Sequence, residues 1–188
     1  MEHVTPSREA LAELEVRGSR FIAVLTPLAQ YDDRLAGIRR AHRKASHHVT
    51  ATRRMTDANT VDDRSSDDGE PAGTSGMPVL KTLAGAGIVD AGVIVTRYFG
   101  GTKLGTGGLA RAYSGAATLA IAAARLVPWH RIVTRTVKAG FADASALEQR
   151  MAHLGLAVIE RIFTEDGVTL TVRGPEAQVA QAPLPEYG

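Results

Sequence analysis

Residues 97–113 read RYFGGTKLGTGGLARAY, and the segments on either side of this stretch decide the fold of the larger part of the chain. Just upstream, residues 93–98 (VIVTRY) are β-branched and mostly apolar, which predicts a central strand. Downstream, residues 107–126 predict a long helix with an apolar stripe of Leu109, Ala112, Ala116, Leu119, Ala120 and Ala123. The small residues in that stripe imply close packing against a sheet. Between the two lie five glycines, Gly100, Gly101, Gly105, Gly107 and Gly108, with Arg97, Lys103 and Arg111 around them. A strand, a glycine-rich turn and a helix N-terminus together point backbone N–H groups at an anion. The spacing is neither G-x-G-x-x-G nor G-x-x-x-x-G-K-[ST], and Leu104 follows Lys103 where a phosphate-binding loop would place a hydroxyl for Mg²⁺. A charged turn that binds a phosphate and a purely structural turn both remain open.

The second constellation is SDDGEPAGTSG at 66–76, with Asp67, Asp68, Gly69 and Glu70. Three clustered carboxylates suit a hard cation such as Mg²⁺ or Ca²⁺, but the spacing is not that of an EF-hand. They equally suit turn capping by the aspartates, with Ser75 capping the next helix. A third use is an ion pair with Arg97 or Lys103. The surrounding residues, 57–76, carry no periodicity and predict a polar loop of unusual length.

Upstream, an apolar run at 11–16 and another at 21–25 flank Arg17-Gly18-Ser19-Arg20 and predict a hairpin. Residues 32–46 predict a helix, with Asp32 and Asp33 at its start and Arg39, Arg40, Arg43 and Lys44 at its end, an order that suits the helix dipole. A strand at 48–55 and a short helix at 77–86 follow. His47 and His48 would face opposite sides of a strand, so a shared metal is disfavoured, and His47 is retained as a possible site residue. Ser114 lies inside a helical pattern and is no nucleophile.

Val127-Pro128-Trp129 marks a boundary, giving domains at 1–127 and 128–188. The second reads strand (132–141), helix (144–154), strand (157–163), an Asp-Gly turn and strand (168–172). This β-α-β-β order opens a ferredoxin-like unit. A second helix from Glu176 and a final strand are doubtful, so this domain is expected to be small and shortened.

Composition sets the outer limits. The 188-residue chain is 44% hydrophobic and 22% charged, ordinary globular values. It has no cysteine, which excludes disulfides, zinc–thiolate sites and a thiol nucleophile. No signal peptide or membrane span is expected, in keeping with a cytoplasmic protein. The net charge of +2 is unevenly spread. Residues 31–55 hold seven Arg/Lys against two Asp, and residues 57–70 hold six acids against one Arg. Only six basic residues follow Pro128, so an anionic partner would meet the first domain.

These strings, SDDGEPAGTSGMPVL at 66–80 and VIVTRYFGGTKLGTGGLARAYSGA at 93–116, resemble the YigZ/IMPACT family, as do GSRFIA at 18–23 and the Ala45-Ser46-His47 triplet. Where that family commonly has Asn-Cys after the histidine, this chain has His48-Val49. The resemblance implies an α+β N-terminal domain like domain 2 of a small-subunit ribosomal protein, followed by the ferredoxin-like domain. It also implies a link to translational control. The expected function is therefore non-catalytic binding of RNA, the ribosome or a ribosome-associated protein. The expected surface is Arg97, the five glycines, Lys103 and Arg111, joined by the basic helix. No cofactor is called for. The alternative is a metal-assisted enzyme acting on a nucleotide or another phosphorylated molecule, with Asp67, Asp68 and Glu70 around Mg²⁺.

Overall fold

The computed structural model describes residues 3–183, and the chain divides into two compact units, Met1–Trp129 and His130–Gly188. In the first unit the elements are β1 (Val4–Pro6), β2 (Ala10–Val16), β3 (Ser19–Pro27), α1 (Tyr31–Ala41), β4 (His47–Met55) and β5 (Val61–Ser66). Then come α2 (Gly76–Gly85), β6 (Ala91–Tyr98), α3 (Gly105–Ala122) and β7 (Leu126–Pro128). Five strands form an antiparallel sheet in the order β2-β3-β6-β4-β5, which puts β6 at the centre as its uninterrupted burial requires.

The period-2 rule assigns each residue of that sheet to a face. Phe21, Ala23 and Leu25 of β3, Val49 and Ala51 of β4, and Val93 and Val95 of β6 pack with α2 and α3. Val24 and Ile94 point the other way and pack with Tyr31 and Ile38 of α1. The helix α3 buries Leu109, Ala112, Tyr113, Ala116, Ala117 and Ala120, a strict i, i+3, i+4 stripe. Leu119, expected in the stripe, is 42% exposed because the 3.6-residue period carries that position to solvent, while Tyr113 and Ala117 take the buried places.

Three expectations are corrected. The supposed loop of residues 57–76 contains β5, an edge strand paired with β4 from Thr50↔Ser66 to Met55↔Val61. Its sequence, VDDRSS, hides it because charge and hydroxyls on an edge protect it from further pairing. The helix expected to reach residue 126 stops at Ala122, and Leu126–Pro128 forms β7 against β1. Ser75 does not cap α2 with its side chain, whereas Asp32 and Asp33 occupy the first turn of α1 as expected.

The second unit comprises β8 (Ile132–Gly140), α4 (Ala144–His153), β9 (Ala157–Phe163), β10 (Gly167–Pro175) and the single turn α5 (Glu176–Val179). Its sheet has the order β8-β10-β9, so the first and third strands are neighbours and the second lies outside, as in a ferredoxin-like unit. Val137, Leu147, Met151, Leu170 and Val172 form its core. Both units are α+β, and among the described residues this second sheet has three strands. No helix among the described residues is long and apolar enough to cross a membrane.

Candidate functional site

Arg97 stands near the end of β6, in a row with Phe21 of β3 and His47 of β4 on the face that meets α3. It is 5% exposed. A guanidinium placed there needs a counter-charge, because an isolated buried ion is costly. Glu70 supplies it: Arg97 Nη1 donates to Glu70 Oε1 at 2.6 Å, and the Tyr113 hydroxyl donates to the same oxygen at 2.7 Å. The Arg97 guanidinium also lies over the Phe21 and Phe99 rings, 5.6 and 5.4 Å from their centroids. Tyr113 meets Phe21 edge-on with centroids 5.0 Å apart. Burial, and then the hydrogen bond to Glu70, push the Tyr113 phenol far above its ordinary range, so it remains a donor.

His47 extends this network. Its Nδ1 lies 2.8 Å from the Asp68 carbonyl, an acceptor only, so Nδ1 carries a proton and Nε2 faces Glu70 Oε1 at 3.8 Å. Asp68 accepts from the His48 backbone N–H at 2.6 Å and lies 3.8 Å from Arg39. Asp68 and Gly69 both have positive φ, 47° and 88°, which turns the chain sharply enough to carry Glu70 inward. Asp67 caps α2 from outside the helix. Its Oδ1 accepts from Ser75 N at 2.9 Å and Gly76 N at 2.8 Å, and its Oδ2 accepts from Gly73 N at 2.7 Å. Burial alone would raise the Asp67 carboxyl, but the three N–H donors outweigh it and hold the group below its usual range.

The three carboxylates therefore point to three different tasks. Asp67 holds a helix end, Asp68 a strand backbone, and Glu70 the Arg97 charge. They do not converge, and no cluster of metal-ligating side chains occurs among the described residues. The expected pairing of the acidic loop with Arg97 is formed through Glu70 alone.

The glycines divide by task as well. Gly100 crosses the β2–β3 turn so closely that a Cβ on it would sit 1.8 Å from the Gly18 carbonyl oxygen, and its N–H donates to Ser19 Oγ at 3.1 Å. Gly101 and Gly105 have φ of 84° and 69°. Gly107 and Gly108 lie in the first turn of α3. Lys103, Gly105, Gly107 and Arg111 are exposed, so the sequence-predicted cations separate into a buried one, Arg97, and two on the surface. Arg111 folds back over this turn, with Nη1 3.4 Å from where a Cβ of Gly107 would be. The first turn of α3 holds no acid and has no side-chain cap. Beside it a cavity of about 250 Å³ is lined by Glu70, Arg97, Phe99, Lys103, Leu104 and Leu109, among others. Phe99 and Tyr113 belong to the motif strings that carry the family resemblance but were not assigned to the binding surface, and Phe21 was not singled out as a site residue. Tyr113 has a signal in hindsight, its i+4 spacing from Leu109, but nothing local announces its partner.

The model of the Impact N-terminal domain matches residues 17–121, which contain this whole arrangement. The chain belongs to the IMPACT family. An IMPACT family member of Haemophilus influenzae is 39% identical over 115 residues, which cover 60% of this chain and 56% of that relative. The IMPACT family member YigZ of Escherichia coli K12 is 31% identical over 170 residues, 89% of this chain and 83% of that one. A crystal structure described as that of a hypothetical protein superimposes with a TM-score of 0.74 at 30% identity, covering 96% of this chain and 89% of that chain. The likeness to YigZ and to this structure extends over both units, whereas the family model lies within the first.

Proposed function

We propose that this IMPACT-family chain is a translation-linked binding protein. It contacts RNA, the ribosome or a ribosome-associated protein through the exposed start of α3, Lys103 and Arg111. One observation carries the reading. A helix N-terminus is stabilised by acids and destabilised by cations, yet α3 has no first-turn acid and gathers Lys103 and Arg111 there. Such a turn is matched by an anion from outside. The rigid setting supports it, since Glu70, Arg97 and Tyr113 anchor the strand before the turn and the helix after it. Membership of the IMPACT family supports the link to translation, which the sequence resemblance implied. Arg97 enters this reading as an anchor for the surface, with Lys103 and Arg111 as the contacts.

The test is a titration of the purified protein with ribosomes and with single-stranded RNA at two salt concentrations. Binding should weaken with salt, and Lys103→Ala/Arg111→Ala should reduce the affinity and flatten the slope of log K against log salt by about 1.4, two contacts at roughly 0.7 each. An unchanged affinity in the double variant, or no binding at low salt, overturns the reading.

A further inference from the structure

The cavity beside α3 has walls that a phosphate alone does not use. Phe99, 51% exposed, and Leu109, buried, both line it, so part of its lining is apolar. Charged groups line it as well. Glu70 accepts from Arg97 and Tyr113 on Oε1 only, so among the described residues Oε2 is left as an acceptor for a further donor. Arg97 gives Nη1 to Glu70, while its buried Nε has no hydrogen-bond partner among the described residues. Lys103 borders the same cavity at its junction with the first turn of α3.

A flat ring with an amino edge, joined to a phosphate, matches this set. The ring stacks on Phe99, its amino edge donates to Glu70, and the phosphate meets the α3 N-terminus and Lys103. An aliphatic side chain of a peptide would leave the Glu70–Arg97 pair facing an apolar group, which is costly. We infer that the cavity between Phe99 and the first turn of α3 holds one unpaired nucleotide, its base against Phe99 and its phosphate at Lys103. The inference rests on the binding function proposed above and names its ligand class. Nucleotide chemistry is common to a free mononucleotide and to one residue of an RNA strand, and the experiment separates the two.

Fluorescence anisotropy is measured with an oligoadenylate, with an abasic strand of the same length and with AMP as competitor. The proteins are the full chain, Phe99→Ala, and Thr106→Trp, which fills the mouth of the cavity from an exposed position. Circular dichroism checks that each variant is folded. The inference expects the abasic strand to bind at least five-fold more weakly and both variants to lose affinity by a similar factor, the smaller end of what one base stacked on an aromatic ring contributes. Competition by AMP at concentrations that displace the strand assigns the site to a mononucleotide, and displacement by the oligomer alone assigns it to RNA. Either result supports a nucleotide cavity. If the abasic strand and both variants bind as tightly as the parent pair, the cavity takes no base and the inference falls. Salt-sensitive RNA binding through Lys103 and Arg111 would then still stand. Ribosome binding lost in Phe99→Ala with RNA affinity unchanged would place a protein in the cavity and overturn the inference.

Discussion

Glu70 and Arg97 meet at 2.6 Å with both side chains almost fully buried, and they come from an acidic loop and a central strand 27 residues apart. The Tyr113 hydroxyl closes the same oxygen from α3, so one carboxylate ties a loop, the sheet and the helix that carries the proposed binding turn.

Breaking this pair leaves a buried charge without a partner. Glu70→Gln should therefore destabilise the N-terminal unit by about 3–5 kcal/mol in urea denaturation. Tyr113→Phe removes one hydrogen bond to a charged acceptor and should cost about 1.5–3 kcal/mol. A Glu70→Gln/Arg97→Met double variant that is no more stable than Glu70→Gln would show that the Arg97 charge is not what makes the single change costly.

Asp67 holds the start of α2 by three backbone hydrogen bonds. Asp67→Ala should cost about 0.5–2 kcal/mol, the range for a lost helix cap. The sign of the pH effect follows from the lowered carboxyl. Its stabilisation is fully present above the unfolded value near 3.9 and fades as the pH falls through the lower folded value. The parent protein should lose stability toward acid more steeply than Asp67→Asn. Parallel acid unfolding curves for the two would contradict this role.

His48 acts in the same direction, over a higher pH range. Burial holds its imidazole below the ordinary histidine value, even though Asp68 pulls it upward. Below roughly pH 6.5 the unfolded chain takes the proton first, so stability declines as the pH drops until the folded value is reached. His48→Gln, which keeps a polar group beside Thr96, should flatten the change in urea midpoint between neutral and mildly acidic pH. A slope identical to that of the parent would remove His48 as the cause.

The close crossing of Gly100 and Gly18 allows no side chain. Gly100→Ala should destabilise by at least about 1–3 kcal/mol, because the obstacle is backbone that has nowhere to move. Gly73→Ala is the control for strain without crowding, since its φ is 74° and no atom lies within 4 Å of an added Cβ. It should cost about 1–2 kcal/mol, and thermal denaturation of the two variants ranks them directly.

The central strand β6, the helices α1 and α3, the β2–β3 hairpin and the β-α-β-β order of the second unit were legible in the sequence. Each rests on a period of two or 3.6 residues, or on a turn signal, all of which are local. The acidic loop and the glycine turn were also visible as motifs, and their pairing through Arg97 was among the alternatives. What the sequence left open was which carboxylate would do it. Asp67, Asp68 and Glu70 are chemically alike, and only the positive φ values at Asp68 and Gly69 send Glu70 inward and leave Asp67 on the helix end. The strand β5 has no apolar period because it is an edge, defined by the backbone hydrogen bonds that β4 offers it. The pairing of Val4–Pro6 with Leu126–Pro128 joins segments too short and too distant in the chain to announce each other. Local pattern therefore set the elements of this protein. The tertiary structure decided which charge is buried as an anchor and which stay on the surface, because burial is a property of the packed whole.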